Sequence, residues 1–548
     1  MTEADDINKP YRCDNLSEVL PKEVQVRTIK PSQFVRTIPG SPEPVPGAVV
    51  PVWVTVNVPK DAKADEYEGE LKITLENGGP FNVPVKLKVY DYALPNPNDF
   101  VTWAELIQSP ETLALVYKVP LWSEKHWKLI EKSLAYIGAF GTKTCYIPLI
   151  CKTNMGNAES MVRWTKEKDK YKYDFSIMDK YLDLVEKYQG KPSVVCLYVW
   201  DIFLNEGEWT YEKVLSKEIN EERAAAVGKG PEVTILKNGK SEVLELPKYT
   251  GTEANALWKP LVTELKARLQ KRKLDKAMMI GIETDTRPDA AIVKFWKEIL
   301  PEAPWVKQAH NLGKNQPGYT ASVWSRHTIL DSIVEKSDVI SGKGWKSKYL
   351  DTFFPRGLRN NDVITTFRML GEITAFGKQR GFARLGADFW DMESGKGISN
   401  FIQHGASGGI ASDGRFLKSS WRALNIRTSL LASGPDGAIT TTRYEMMREG
   451  LQECEARIML EKALDEQKLR IDQAKKVEKL LKERNLAIYN GFYDNRADFT
   501  DKKGKGFSTY HWSGSQIQRY CYLYYLNSGW QKRSSDLYEA ASQATGKR

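Results

Sequence analysis

Residues 277–289 read AMMIGIETDTRPD. The apolar run from Ala277 to Ile282 stops abruptly at Glu283, and apolar residues return at helical spacing in Ile292, Phe295, Trp296 and Ile299. The period therefore switches from strand to helix across a loop that carries Glu283 and Asp285. Where such units repeat to build a parallel (β/α)8 barrel, the loops at the C-terminal strand ends hold the chemistry. Paired carboxylates at one of those ends suit acid/base work on a glycosidic bond.

The unit does repeat on both sides of this stretch. FVTWAEL (100–106) precedes the amphipathic SEKHWKLIEKSLAYIGAFG (123–141), KTCYIPLI (143–150) leads to SIMDKYLDLVEKYQG (176–190), and SVVCLYVW (193–200) leads to NALWKPLVTELKARLQKRK (255–273). Downstream come PWVKQAH (304–310), SDVISG (337–342) with ITTFRMLGEITAFGKQRG (364–381), and FARLGADFW (382–390). This alternation predicts an α/β chain with a (β/α)8 TIM-like barrel over residues 99–440. A doubly wound open sheet fits less well, because the Gly-rich phosphate turn is absent. An insertion near 205–250 contains EVTILKNGKSEVLELP, which predicts a hairpin turning at Asn238-Gly239 on the rim of the cleft.

The flanks differ in pattern. VVPVWVTVNVP, EGELKITLENGGP and FNVPVKLKVYDYALP alternate apolar and polar residues between turn residues, so residues 1–98 are expected to form an N-terminal β-sandwich module. Residues 441–548 are expected to be a helical extension packed on the barrel, with SQIQRYCYLYYLNSGW (515–530) as its aromatic helix.

With 548 residues, 41% of them hydrophobic, the chain can bury a large core and form more than one domain. The net charge of +10 is made of interspersed Lys, Arg, Asp and Glu, a solvated-surface pattern that gives no case for a nucleic-acid partner. A basic balance does favour anionic substrates, such as a sulfated or uronic-acid glycan, through long-range steering. The six cysteines are far apart, without zinc-site spacing, and Cys145 and Cys196 sit in apolar runs as buried thiols. There is no P-loop, no nucleophile elbow and no HExxH, so no cofactor and no catalytic metal are expected. No stretch is long and apolar enough to span a membrane. The opening MTEADDINKPYRC is not a signal peptide and reads as a trimmed or mature end, which makes a periplasmic or secreted location the expectation.

Strand-end logic supplies further candidates. Trp200-Asp201 closes one strand, and Asp388, Trp390, Asp391 and Glu393 close another. Asp388 and Asp391 rank next to Glu283 and Asp285 as catalytic carboxylates. For substrate contacts the candidates are Asp201, Trp200, Glu393, His310 and Asn311 after PWVKQA, and Trp324, Trp345, Trp390 and Trp103 as stacking platforms. Lys343, Lys346, Arg356 and Arg287 are cations for sulfate or carboxylate groups. For each acid the competing role is a helix cap or a salt-bridged loop residue, and for each Trp it is the core.

Three stretches carry a family resemblance: VPVKLKVYDYALP, GIETDTRPDAAIVKFWKEILPEAPW and SGPDGAITTTRYEMMREGLQECEARIMLEKAL. Together they resemble the sandwich-plus-barrel enzymes related to glycoside hydrolase family 123, the β-N-acetylgalactosaminidases, and uncharacterised bacterial relatives that share the barrel's C-terminal part. The resemblance covers most of the chain. It implies an adjacent Asp-Glu pair at the end of the fourth strand, the Glu as general acid and the Asp orienting the substrate's N-acetyl group as nucleophile. This chain has Glu283-Thr284-Asp285 there instead. Residues two apart on a strand point to the same side, so these two can cooperate, by the substrate-assisted route or as an ordinary carboxylate pair. The expected function is hydrolysis of a β-linked galactose-type or N-acetylamino-sugar glycan. The rival is a non-catalytic carbohydrate-binding protein on the same fold; a polysaccharide lyase would need a Tyr, His or Lys base where carboxylates stand. Sequence does not fix the oligomeric state.

Overall fold

The structure is a computed structural model that describes residues 53–75, 78–153, 155–201, 204–205, 228–283, 287–309, 320–322, 342–347, 351–353, 367–376, 379–390, 430–492, 525 and 527–545. It begins with an antiparallel hairpin of β1 (Asp65–Ile73) and β2 (Phe81–Val89). Tyr67, Ile73, Phe81 and Val83 on this ribbon are exposed. Among the described residues the N-terminal region shows this two-stranded hairpin; residues 1–52 of the expected sandwich module lie outside them. Alternation predicts strands, but says nothing of which element will cover their apolar face.

The parallel units follow. β3 (Trp103–Ile107) leads to α1 (Pro110–Val116) and α2 (Glu124–Ala139). α1 starts where the Ser109 hydroxyl accepts from the Thr112 N–H and Pro110 takes the first helical position, a residue pair suited to a helix start. β4 (Thr144–Pro148) is followed by β5 (Arg163–Glu167), β6 (Lys170–Asp174) and α3 (Ser176–Gln189). β7 (Val194–Tyr198) is followed by β8 (Glu232–Lys237), β9 (Lys240–Glu245) and α4 (Ala254–Lys271). Then come β10 (Met278–Glu283), α5 (Ala290–Ile299), β11 (Trp305–Ala309), β12 (Thr320–Ser322), β13 (Asp351–Phe353), α6 (Leu370–Phe376) and β14 (Gly381–Gly386).

Eight of these strands form one parallel sheet in the order β3-β14-β13-β12-β11-β10-β7-β4. Side chains form two clusters, divided by alternation along β3, β4 and β7 and interrupted by the register shifts in β10 and β14. Ala104, Leu106, Ile147, Leu197, Ile280 and Leu385 pack outward against helix residues such as Ile130, Leu182 and Leu265. Trp103, Tyr146, Cys196, Ile282, Val306 and Ala383 form the second cluster. That cluster joins both edge strands, β3 and β4, to the central β10 and β11, so the sheet must curl until its edges face each other. Across the seam the Tyr146 hydroxyl donates to Glu105 Oε1 at 2.5 Å. No backbone ladder joins β3 to β4 among the described residues. The described residues thus show a curled eight-stranded parallel sheet with helices, and among them no backbone ladder closes it into the TIM-like barrel expected from the sequence.

The two excursions after β4 and β7 meet in a four-stranded sheet, β6-β5-β8-β9. Asn238 (φ 50°) and Gly239 (φ 76°) make the tight β8–β9 turn predicted from their sequence. Both excursions leave C-terminal strand ends, so this small sheet belongs to the functional face. It is anchored by Trp164, whose ring lies 5.6 Å from Trp258 of α4.

The opposite end is closed by the C-terminal helices. After the hairpin β15 (Leu431–Gly434) and β16 (Gly437–Thr440), α7 (Thr442–Asp465) is buried on several sides, and α8 (Ile471–Phe492) and α9 (Trp530–Thr545) pack on it. Glu455 of α7 accepts the Val101 and Thr102 N–H groups at 2.9 and 2.7 Å, just before β3 begins. Gly450 lies against Arg368, where a Cβ would stand 1.9 Å from the carbonyl oxygen. Most of the aromatic helix expected at 515–530 lies outside the described residues. The β1–β2 ribbon is tied to α9 by Lys88–Glu539 at 3.0 Å and by the Tyr90 and Ser535 hydroxyls at 2.6 Å.

Candidate active site

β10 is the fourth parallel strand in chain order, and Glu283 is its last residue. Its neighbour in register is Lys307 of β11. Glu283 is 7% exposed and its Oε2 is buried without a hydrogen-bond partner. Burial raises it above the usual carboxylate range, while the Lys307 ammonium and Arg287 guanidinium pull the other way. The result is a carboxyl that keeps its proton to higher pH than a surface glutamate and has a free oxygen with which to donate it.

The loop after β10 is pinned from β7. Asn205 Nδ2 donates to the Arg287 carbonyl at 2.7 Å, and Asn205 Oδ1 accepts from Asp289 N–H and from Trp200 Nε1, each at 3.1 Å. The ends of neighbouring strands are thereby locked together on the functional face. Asn205 was not singled out by the sequence reading, since nothing in its local pattern marks it.

Asp201 is buried just past β7, with Oδ2 3.5 Å from the Tyr198 hydroxyl. Asp388, past β14, is fully buried; Oδ1 accepts the Ser109 N–H at 2.6 Å and Oδ2 the Ser133 hydroxyl at 2.5 Å. Burial pushes it up to about 7 against those two hydrogen bonds. Both its oxygens are engaged by the start of α1 and by α2, which is the geometry of a residue that holds a strand end to its helices.

Several aromatic residues expected at the substrate turn out to be packed. Trp200 and Trp390 are 1% and 4% exposed and belong to the main core, Trp390 donating to the Leu431 carbonyl at 2.7 Å. Trp103 lies at the first residue of β3, away from the functional end, inside the inner cluster. Trp345 precedes β13 and so lies at the N-terminal ends of the strands. Its Nε1 donates to Glu461 of α7 at 2.5 Å, and Lys346 and Lys462 sit 5.4 and 5.5 Å from its ring. Lys343 and Lys346 both pair with Asp465 at the end of α7. Trp345, Lys343 and Lys346, expected at the substrate, here contact the C-terminal helix α7, because the segment carrying them enters a strand and does not leave one. Asp285, His310, Asn311, Trp324, Arg356, Asp391 and Glu393 lie outside the described residues.

What the strand-end search passed over lies inside the strands. Glu105 occupies the middle of the fully buried strand WAELI, bonded to Tyr146 and near Gln308. Burial pushes it up to about 7 against hydrogen bonds from Tyr146, Gln308 and the Arg384 backbone, and against the Arg384 charge. A glutamate flanked by buried apolar neighbours was the available signal.

Comparison with known families agrees with the class this layout suggests. Residues 107–460, more than half of the chain, match the model of the glycoside hydrolase 123 catalytic domain, so the protein is a glycoside hydrolase. The chain belongs to glycoside hydrolase family 123. A solved structure of a family 123 glycoside hydrolase from Clostridium perfringens, described for glycolipid glycan hydrolysis, is similar with a TM-score of 0.52 and 15% identity. The likeness covers 88% of this chain and 77% of that one, and at such identity it speaks to the fold alone. No protein with a curated description matches the sequence.

Proposed function

We propose that this hydrolase cleaves a β-linked galactose-type or N-acetylamino-sugar glycan, with anionic forms favoured, and that Glu283 is its general acid with Asp285 as partner. One observation carries the reading: Glu283 ends the fourth parallel strand with a buried, unpartnered oxygen, and burial shifts its carboxyl toward the protonated form. A general acid must be protonated at working pH and must present that proton to the leaving oxygen. The same reading has the eight strands close as a (β/α)8 barrel, supported by the Tyr146–Glu105 bond across the seam, and places the enzyme in the periplasm or outside the cell. The choice of sugar is supported by the family and by the glycolipid glycan named for the Clostridium perfringens enzyme.

The test is product release, read by mass spectrometry, from neutral, N-acetylated and sulfated glycans by wild type, Glu283→Gln and Asp285→Asn. Wild type is expected to release a terminal sugar, and each substitution to lower the rate about a hundredfold or more. Binding of a glycan without cleavage would instead favour a carbohydrate-binding protein.

A further inference from the structure

One layer beneath the strand ends, three strands bring polar side chains together inside the curled sheet. Glu105 stands two residues before the end of β3, Tyr146 two before the end of β4 and Gln308 one before the end of β11. Gln308 Nε2 donates to the Tyr146 oxygen at 2.8 Å and lies 3.4 Å from Glu105 Oε1, to which Tyr146 donates at 2.5 Å. None is more than 4% exposed, and the buried Gln308 Oε1 has no hydrogen-bond partner among the described residues. Leaving a buried acceptor unpaired forfeits the hydrogen bonds it had with water. Packing alone gives no return on that cost.

We propose that Glu105 is a positioning residue for the hydrolysis, fixing through Tyr146 the direction of the hydrogen bonds on which the strand-end site rests; this rests on the hydrolase reading above. Ionised Glu105 can only accept, so Tyr146 must donate to it and can then only accept from Gln308. This turns the Gln308 amide one way, beside Lys307, the residue whose charge bears on Glu283. Once Glu105 takes up a proton it can donate, Tyr146 is released to donate elsewhere, and the order is lost. The charged and titratable groups facing Glu105 are Tyr146 from β4, Arg384 from β14 and Cys196 from β7. Burial pushes the Tyr146 phenol and the Cys196 thiol further upward, so both stay protonated while Glu105 titrates near neutrality.

The experiment measures kcat/KM across the acid and neutral range for wild type, Glu105→Gln and Tyr146→Phe. Its substrate is whichever of a set of p-nitrophenyl β-glycosides wild type hydrolyses best. Wild type should gain activity as pH rises through about 7, following the ionisation of Glu105. Glu105→Gln keeps an acceptor but cannot titrate, so its profile should lack that limb. Tyr146→Phe removes the hydroxyl through which Glu105 acts, so its profile should lose the limb as well. Profiles that superimpose on wild type overturn the proposal and leave the hydrolase reading intact. A wild type that hydrolyses none of the glycosides overturns both. If Glu105→Gln does not fold, Tyr146→Phe decides alone, and a limb that persists overturns the proposal.

Discussion

Asp388 and Glu105 are both fully buried carboxyls pushed up to about 7, well above the ordinary value of about 4 that they regain on unfolding. Between those values the folded chain holds protons that the unfolded chain has released. Stability therefore falls as pH rises from about 4 to 7, by up to a few kcal/mol per group at about 1.4 kcal/mol per pKa unit. Asp388→Asn should remove its share of the slope. The amide oxygen can still accept from Ser109 N–H, and the Ser133 hydroxyl can turn to accept from the new NH2. Urea midpoints are expected to match wild type at or below about pH 4 and to exceed it increasingly toward pH 8; an unchanged pH slope would refute the assignment. At this scale the sequence pointed to Glu283 because a charge that ends an apolar run is conspicuous. It could not show that Asp388, equally conspicuous, spends both oxygens on helices. Nor did a search confined to strand ends find Glu105, whose partners lie 41 and 203 residues away.

Helices are held at the N-terminal end of the sheet by charges that have no access to water. Arg484 of α8 pairs with Glu372 of α6 and Glu453 of α7, both at 2.6 Å, while Arg457 pairs with Glu461 at 2.8 Å and Glu372 at 3.5 Å. Burial works against a charged Glu453, but Arg368 and Arg484 reverse it and hold that carboxyl below its usual range. Removing one partner strands the others in a low dielectric, at a typical cost of about 3–5 kcal/mol. Arg484→Met should thus lower the denaturation midpoint sharply with little effect on KM in the protein that remains folded, whereas a shift below 1 kcal/mol would show the network to be solvated. That residues 441–548 would be largely helical was expected from the sequence. The burial of their charges was not: interspersed Lys, Arg, Asp and Glu look the same on a solvated helix as on one whose charges meet those of other helices. The same ambiguity hid the docking role of Lys343 and Lys346, whose partner Asp465 belongs to α7.

Across the whole molecule, six of the eight parallel strands were legible because each is a five- or six-residue stretch within a mostly apolar run. β12 and β13 have three residues each, too few to show a period, and their places follow only from the sheet order. The overall charge acts at this scale too. With +10 net and an isoelectric point near 8.9, the protein should draw anionic glycans toward it over distances set by the Debye length. That length is about 10 Å at 0.1 M salt and about 3 Å at 1 M. For a sulfated or uronic-acid substrate, kcat/KM should therefore fall several-fold between those salt concentrations, mostly through KM. For a neutral glycan of the same linkage it should stay nearly constant, because no long-range attraction is there to be screened. Equal salt dependence for the two would show that the basic surface plays no part in substrate capture, and the preference for anionic glycans would have to be withdrawn even with the acid role of Glu283 intact.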